Sequence, residues 1–279
     1  MAYSFKNILI AVDLSINTEV LIKKALELAD SDTTIHLLHV EPHGTGGLFT
    51  ILKRYLAGRK DLTEKQEIKN KIGEWMTIEE SSVNIKVCNW IVEAGSIQGS
   101  IEKKAIELGV DIIIIGKNSD HSWFPFLNTV HPGELIKKTG IAVLTVTPGA
   151  TLYKVRKVVI PILGNESIQH KMDMISTLCR KFRLNIHLLT FMSRNHEGTD
   201  ITVSLFLRSY QYLKLNNPYP VEYAVLCGNN KAKAILKYAE KIRADILLVH
   251  PGSETKTGWP NKNISDMLPA ASGMNILAV

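Results

Sequence analysis

The chain has 279 residues, of which 45% are hydrophobic, 22% charged and 7% aromatic, a balance that excludes intrinsic disorder, collagen and a coiled coil. Apolar runs stay below the ~18–20 residues of a membrane span, and Cys88, Cys179 and Cys227 are too scattered for a disulfide framework or a paired-cysteine metal site. The net charge of +6 is uneven: residues 1–148 carry 16 basic and 18 acidic side chains, residues 149–279 carry 17 and 9. The later bases, such as Lys231, Lys233, Lys237, Lys241 and Arg243, are spaced singly along a helical pattern. That spacing reads as a solvated face, with no nucleic-acid-reading motif beside it.

Residues 1–6 lead straight into a strand pattern without the basic segment, apolar core or cleavage site of a signal peptide, so a cytoplasmic protein is expected. Phe5–Asp13 predicts the first strand. Leu21, Ala25, Leu28 and Ala29 then fall on one face of a helix that Ser15 or Asn17 can cap and Asp30-Ser31 ends. Ile35–Val40 predicts the second strand, followed by a long connection over residues 42–80. In that connection Leu48, Phe49, Leu52 and Tyr55 have helical spacing, which suits core or dimer-face residues. Past Gly95-Ser96, the set Ile97, Ile101, Ala105, Ile106 and Leu108 predicts the inner face of another helix. Ile112–Ile115 is the next strand, Asp120–Leu127 a long loop, Asn128-Thr129-Val130 a helix start, and Ile141–Val146 a closing strand.

After the linker Pro148–Thr151 the pattern repeats. Val155–Leu163 answers to Phe5–Asp13, Ile186–Phe191 to Ile35–Val40, Ile246–Val249 to Ile112–Ile115, and Gly273–Val279 to Gly140–Val146. Four matched segments in one order indicate duplication, with domains expected over residues 1–148 and 153–279. A second long connection, residues 192–220, carries Leu205, Tyr210 and Leu213 at partly helical spacing. Short, almost wholly apolar strands alternating with helices predict an α/β fold of two tandem, doubly wound parallel sheets.

Ligands of such sheets bind beyond the carboxyl ends of the strands, where strand order reverses. The residues standing there are Asp13, Val40 and Gly116, followed by the loop to Asn128 and Thr129. Ile8–Ser15, Gly95-Ser96 before an Ile/Ala helix, Asp111–Gly116 and the closing strand Ile141–Val146 together resemble the universal stress proteins, here in tandem. The resemblance implies the adenine nucleotide alpha hydrolase-like fold, five strands per domain in the order 3-2-1-4-5, and a pseudo-dimer paired through the last strands. It also implies a non-catalytic stress-response module that binds ATP or another adenine nucleotide. Asp13 would contact the ribose, the backbone at Val40 the adenine, and Gly116, Ser119, Asn128, Thr129 and Val130 the phosphates.

This chain departs from the family pattern at Ser119 and Asn128, where glycines are expected, and its intervening loop is shorter and holds Trp123, Phe124, Pro125 and Phe126. The second copy departs further: Leu163 replaces the ribose-contacting Asp and His250-Pro251 replaces the first loop glycine. Leu accepts no hydrogen bond and Pro offers no N–H, so the second copy is expected to be a structural partner. The alternative is a nucleotide-free scaffold working through contacts with a protein partner.

Other chemistry finds little support in the residues. His36 and His39 lie three apart on one strand and point to opposite faces. His121, His131 and Asp120 flank the loop without a recognisable metal-ligand spacing, so no metal is predicted. Cys88 and Cys227 read as buried apolar residues. No GxSxG, Walker motif or paired carboxylates occur at a strand end, so no catalytic residue and no enzyme is expected.

Overall fold

A computed structural model describes residues 4–12, 17–42, 86–116, 130–147, 155–164, 168–191, 199–228, 230–251 and 272–279. The first half contains β1 (Asn7–Val12), α1 (Asn17–Leu28), β2 (Thr34–Pro42), β3 (Lys86–Gly95), α2 (Ile97–Glu107), β4 (Ile112–Gly116), α3 (Pro132–Thr139) and β5 (Ala142–Val146). The second contains β6 (Lys157–Pro161), α4 (Ile168–Lys181), β7 (Asn185–Phe191), α5 (Thr199–Asn216), β8 (Val221–Leu226), α6 (Lys231–Lys241), β9 (Ile246–Val249) and β10 (Asn275–Ala278).

The strands join in one ten-stranded sheet ordered β3-β2-β1-β4-β5-β10-β9-β6-β7-β8. Each half therefore reads 3-2-1-4-5, with parallel ladders inside it. The junction alone is antiparallel: Ile276, Leu277 and Ala278 pair with Thr145, Leu144 and Val143. The halves thus meet through their last strands, as the resemblance implied, in the relation of a pseudo-dimer.

Alternation along the strands sorts the core into layers. Ile8, Ile10, Ile112 and Ile114 pack with Leu21, Ile22 and Ala25 of α1, in a cluster that continues through Leu144 and Leu277 to Val158, Ile160 and Ile175 of α4. On the opposite face Leu9, Ile113 and Ile115 pack with Ile101 and Ala105 of α2 and Leu135 of α3. Val159, Leu247 and Val249 pack there with Ala232, Ile235 and Ala239 of α6. The central strands β1, β4, β9 and β10 are covered on both faces, which is why their middles are apolar, whereas β8 at the sheet edge is largely exposed.

The duplication extends to polar detail. Asp111 Oδ2 accepts the backbone N–H groups of Lys6 and Asn7 at 2.7 and 2.8 Å, pinning the start of β1 beside β4. Asp245 Oδ2 accepts those of Arg156 and Lys157 at 2.8 Å each, doing the same for β6 and β9. Ser96 caps α2 by accepting from Gly99 N, and Asn230 caps α6 by accepting from Lys233 N. Gly140 ends α3 at φ +70°, a left-handed conformation that glycine adopts without strain.

Two expectations are corrected. Ile106 is 60% exposed, because it follows buried Ala105 by one residue and turns about 100° away from the sheet. Cys227 is exposed, lying just past the end of β8. The helical spacing of the second long connection belongs to a helix: α5 lies within it, with Leu213 buried and Leu205 and Tyr210 packed against the core. Leu48, Phe49, Leu52, Tyr55, Asp120 and His121 lie outside the described residues. No helix among the described residues is long and apolar enough to cross a membrane.

His36 on β2 and His187 on β7 are matched, buried histidines. Burial pushes both imidazoles below the usual histidine range; for His187, nearby Glu222 opposes this and Lys157 reinforces it. The native state therefore favours their neutral forms. Their contribution to stability is complete above an unfolded-state value of about 6.5 and is lost as pH falls through the lower folded values. Urea unfolding is expected to show stability falling below about pH 6.5, and a His36→Asn/His187→Asn double variant should show a shallower fall.

Candidate functional site

Strand order reverses between β1 and β4, and the carboxyl ends of strands at such a reversal are where sheets of this kind hold ligands. The ladder of β1 with β2 ends at the Val12–His39 pair, while β2 continues to Pro42 against β3. Val40, Glu41 and Pro42 therefore extend beyond β1, with no described strand laddered to that edge. His39 Nδ1 lies 3.1 Å from the Val12 carbonyl oxygen and donates to it, fixing the last turn of the ladder. The Val40 side chain is buried in the α2-side cluster, which leaves its backbone as the part that a ligand can meet.

Gly116 is the exposed last residue of β4, paired with Val146. Its φ is not in the left-handed region, so glycine is not required there by backbone conformation. A Cβ at this position would meet only the Leu21 side chain of α1, at 3.5 Å. What the missing side chain provides is space at the carboxyl end of β4.

Val130 is half-buried against the α2 side and leads into α3, whose first residue is Pro132. The start of α3 is tied to α2: Gln98 Oε1 accepts His131 N at 3.4 Å, and Gln98 Nε2 donates to Glu134 at 3.0 Å. That bond from Gln98 is the main cause holding the Glu134 carboxyl below its usual range. Val40 lies near the carboxyl end of β2, Gly116 ends β4 and Val130 leads into α3. Asp13, Ser119, Asn128 and Thr129 lie outside the described residues. Among the described residues no group of three or more His, Cys, Asp or Glu could hold a metal ion.

The second switch point, between β6 and β9, is built differently. The β6–β9 ladder holds only Val158–Ile246 and Val159–Leu247, against four pairs between β1 and β4. Pro161 supplies no N–H there, and its carbonyl oxygen instead accepts Lys171 Nζ at 2.7 Å. Lys171 is fully buried, on the α4 position that corresponds to Leu21 at the 150-residue offset. Leu163, where the ribose-contacting Asp would stand, packs into the apolar cluster under α6. His250 Nδ1 donates to Val279 O at 2.8 Å, and a Cβ on Gly133 of α3 would meet Pro251 at 3.4 Å. Sequence reading missed Lys171, since one lysine in a helical pattern looks like a solvated position; its place in the Lys171-Met172-Ile175-Leu178 spacing was the available signal.

Comparison with known proteins follows this geometry. The chain is similar over nearly its whole length to a universal stress protein from Archaeoglobus fulgidus, with a TM-score of 0.68, 15% identity, and coverage of 98% of this chain and 95% of that one. A functionally unknown protein from Pseudomonas aeruginosa gives a TM-score of 0.60 at 14% identity, covering 99% and 92%. The cytoplasmic domain of a prokaryotic cation chloride cotransporter gives 0.56 at 11% identity, covering 99% and 95%. At these identities the likeness concerns the fold. No curated protein sequence matches the chain. The profile of the universal stress protein family matches residues 4–146, which span β1 to β5 and so the whole first switch point. The chain belongs to the universal stress protein family.

Proposed function

We propose that the chain is a cytoplasmic, ligand-responsive binding module of two domains, residues 1–148 and 153–279, with an adenine nucleotide, ATP foremost, held in the first. The observation that carries this reading is the contrast between the switch points. In both halves the second strand runs past the first, but the first switch point has the bare Gly116, whereas the second has Lys171 on the Pro161 carbonyl and Leu163 packed against its apolar cluster. In this reading Val40 reads the base through its backbone and Asp13 takes the ribose. Gly116, Ser119, Asn128, Thr129 and Val130 surround the phosphates. Without a nucleophile elbow or Walker motif in the sequence, the outcome of binding is a changed surface rather than turnover.

Calorimetry with Mg-ATP, ADP and AMP tests it, together with mass spectrometry of small molecules released from the purified protein. One nucleotide per chain is expected. Gly116→Trp should weaken binding at least about tenfold without loss of fold. Gly116→Ala, whose Cβ makes ordinary contact with Leu21, should bind within about threefold of the parent. Unchanged binding in Gly116→Trp would remove Gly116 from the site.

A second reading, a scaffold acting through protein contacts, is favoured by one observation. Of the exposed large apolar side chains among the described residues, Val203, Leu207, Tyr212, Leu215, Tyr223 and Val225 all lie on α5 and β8. A protein that ignores all three nucleotides would direct attention to that face.

A further inference from the structure

The antiparallel junction of β5 with β10 brings α4 of the second half beneath the amino ends of the first half's strands. A cavity of about 270 Å³ lies there. Phe5 before β1, Ile141 before β5 and Met174 of α4 give it apolar walls, while Asp111, His170 and Asp173 give it polar ones. It sits at the amino ends of β1, β4 and β5, opposite the carboxyl ends of the first half's strands. The strand β1 alone separates the two by about 20 Å.

Residues His170, Asp173, Met174 and Thr177 recur every three or four positions, so one face of α4 lines the cavity. The corresponding positions of α1, at the 150-residue offset, are Val20, Lys23, Lys24 and Glu27. Lys24 is buried there and ion-paired with Glu27 at 2.9 Å, and Lys23 is paired with Glu19 at 2.7 Å. The duplicated helices therefore present opposite charge at equivalent positions: lysines on α1, a carboxylate on α4. Asp111 uses Oδ2 to pin Lys6 and Asn7, and Asp173 uses Oδ1 to accept from Gln169 at 3.0 Å. Asp111 Oδ1 and Asp173 Oδ2 have no hydrogen-bond partner among the described residues.

We propose that this cavity is a second binding site, separate from the proposed nucleotide site, for a small amphiphilic ammonium compound. The apolar body rests on Phe5, Ile141 and Met174, and the ammonium donates to the Asp111 and Asp173 carboxylates. Pockets with mostly apolar walls and a few polar groups, at a junction between domains, are where small ligands are commonly held. Two carboxylates beside one imidazole select a cation over an anion of the same shape.

The test uses the full chain and three matched probes: 2-phenylethylammonium, 2-phenylethanol and 3-phenylpropionate, followed by calorimetry and protein NMR. Binding of the ammonium is expected at one per chain, about tenfold or more tighter than the alcohol, with the carboxylate weakest. Resonances of Ile141 and Met174 should shift. Asp173→Asn, a change at the rim, should weaken ammonium binding about tenfold with an unchanged melting temperature. Met174→Trp should fill the cavity and abolish binding, and the thermal unfolding transition of the same variant reports whether the fold is intact. Equal binding of all three probes, binding indifferent to both substitutions, or no ammonium binding at all would overturn the proposal.

Discussion

Lys171→Ala is expected to lower the unfolding free energy by ~4 kcal/mol, measured by urea or guanidinium titration. Two effects add: the Pro161 carbonyl loses its donor, worth ~1–3 kcal/mol, and a long fully buried side chain is replaced by a methyl, worth ~2–5 kcal/mol in cores that cannot collapse. Lys171→Leu separates them. Leucine stands at the matching position in the first half, Leu21, and is buried there, so shape is largely restored while the ammonium and its bond to the Pro161 carbonyl are lost. Its cost should be ~1–2 kcal/mol. The order alanine worse than leucine is the diagnostic outcome. If both variants stay within ~0.5 kcal/mol of the parent, Lys171 does not fill the second switch point.

Leu277→Asp should be more damaging still. Leu277 pairs with Leu144 across the antiparallel junction, and both are buried in the cluster that runs continuously from α1 to α4. A carboxylate there has no ion partner among the clustered residues and must be desolvated or protonated, at a cost of several kcal/mol. Against a total stability of ~5–15 kcal/mol, this variant should be unfolded or should melt at least about 10 °C lower. Because one apolar cluster spans the junction, scanning calorimetry of the parent should give a single transition, and Leu277→Asp should abolish or divide it. Leu215→Asp on α5 is the control; it should shift the transition by only a few degrees, since that side chain is already 85% exposed. Two separate transitions in the parent would show that the halves are held more weakly than their shared core implies.

The duplication, the strand and helix alternation and the doubly wound topology were legible in the residues, because strands covered on both faces must be apolar throughout and repeated blocks keep their order. Val40 near the end of β2 and Gly116 at the end of β4 could be expected at one edge, since strand ends in such a sheet face one way. The exposure of Ile106 was available in the spacing, one residue and about 100° from buried Ala105, but that of Cys227 was not. It depends on where β8 ends relative to the layers around it, and a hydrophobic letter carries no such information. Lys171 shows the limit most clearly. Its charge argued for solvent, yet Pro161 leaves a carbonyl at a shortened ladder, and a lysine one turn into the following helix can reach it. The seam cavity likewise needed both halves in place, since Asp111 and Asp173 are 62 residues apart in the chain and meet around one cavity through the β5–β10 junction. Periodicity and turn chemistry act over a few residues and so are written locally; burial of a charge and the meeting of two distant carboxylates depend on packing, which only the assembled sheet decides.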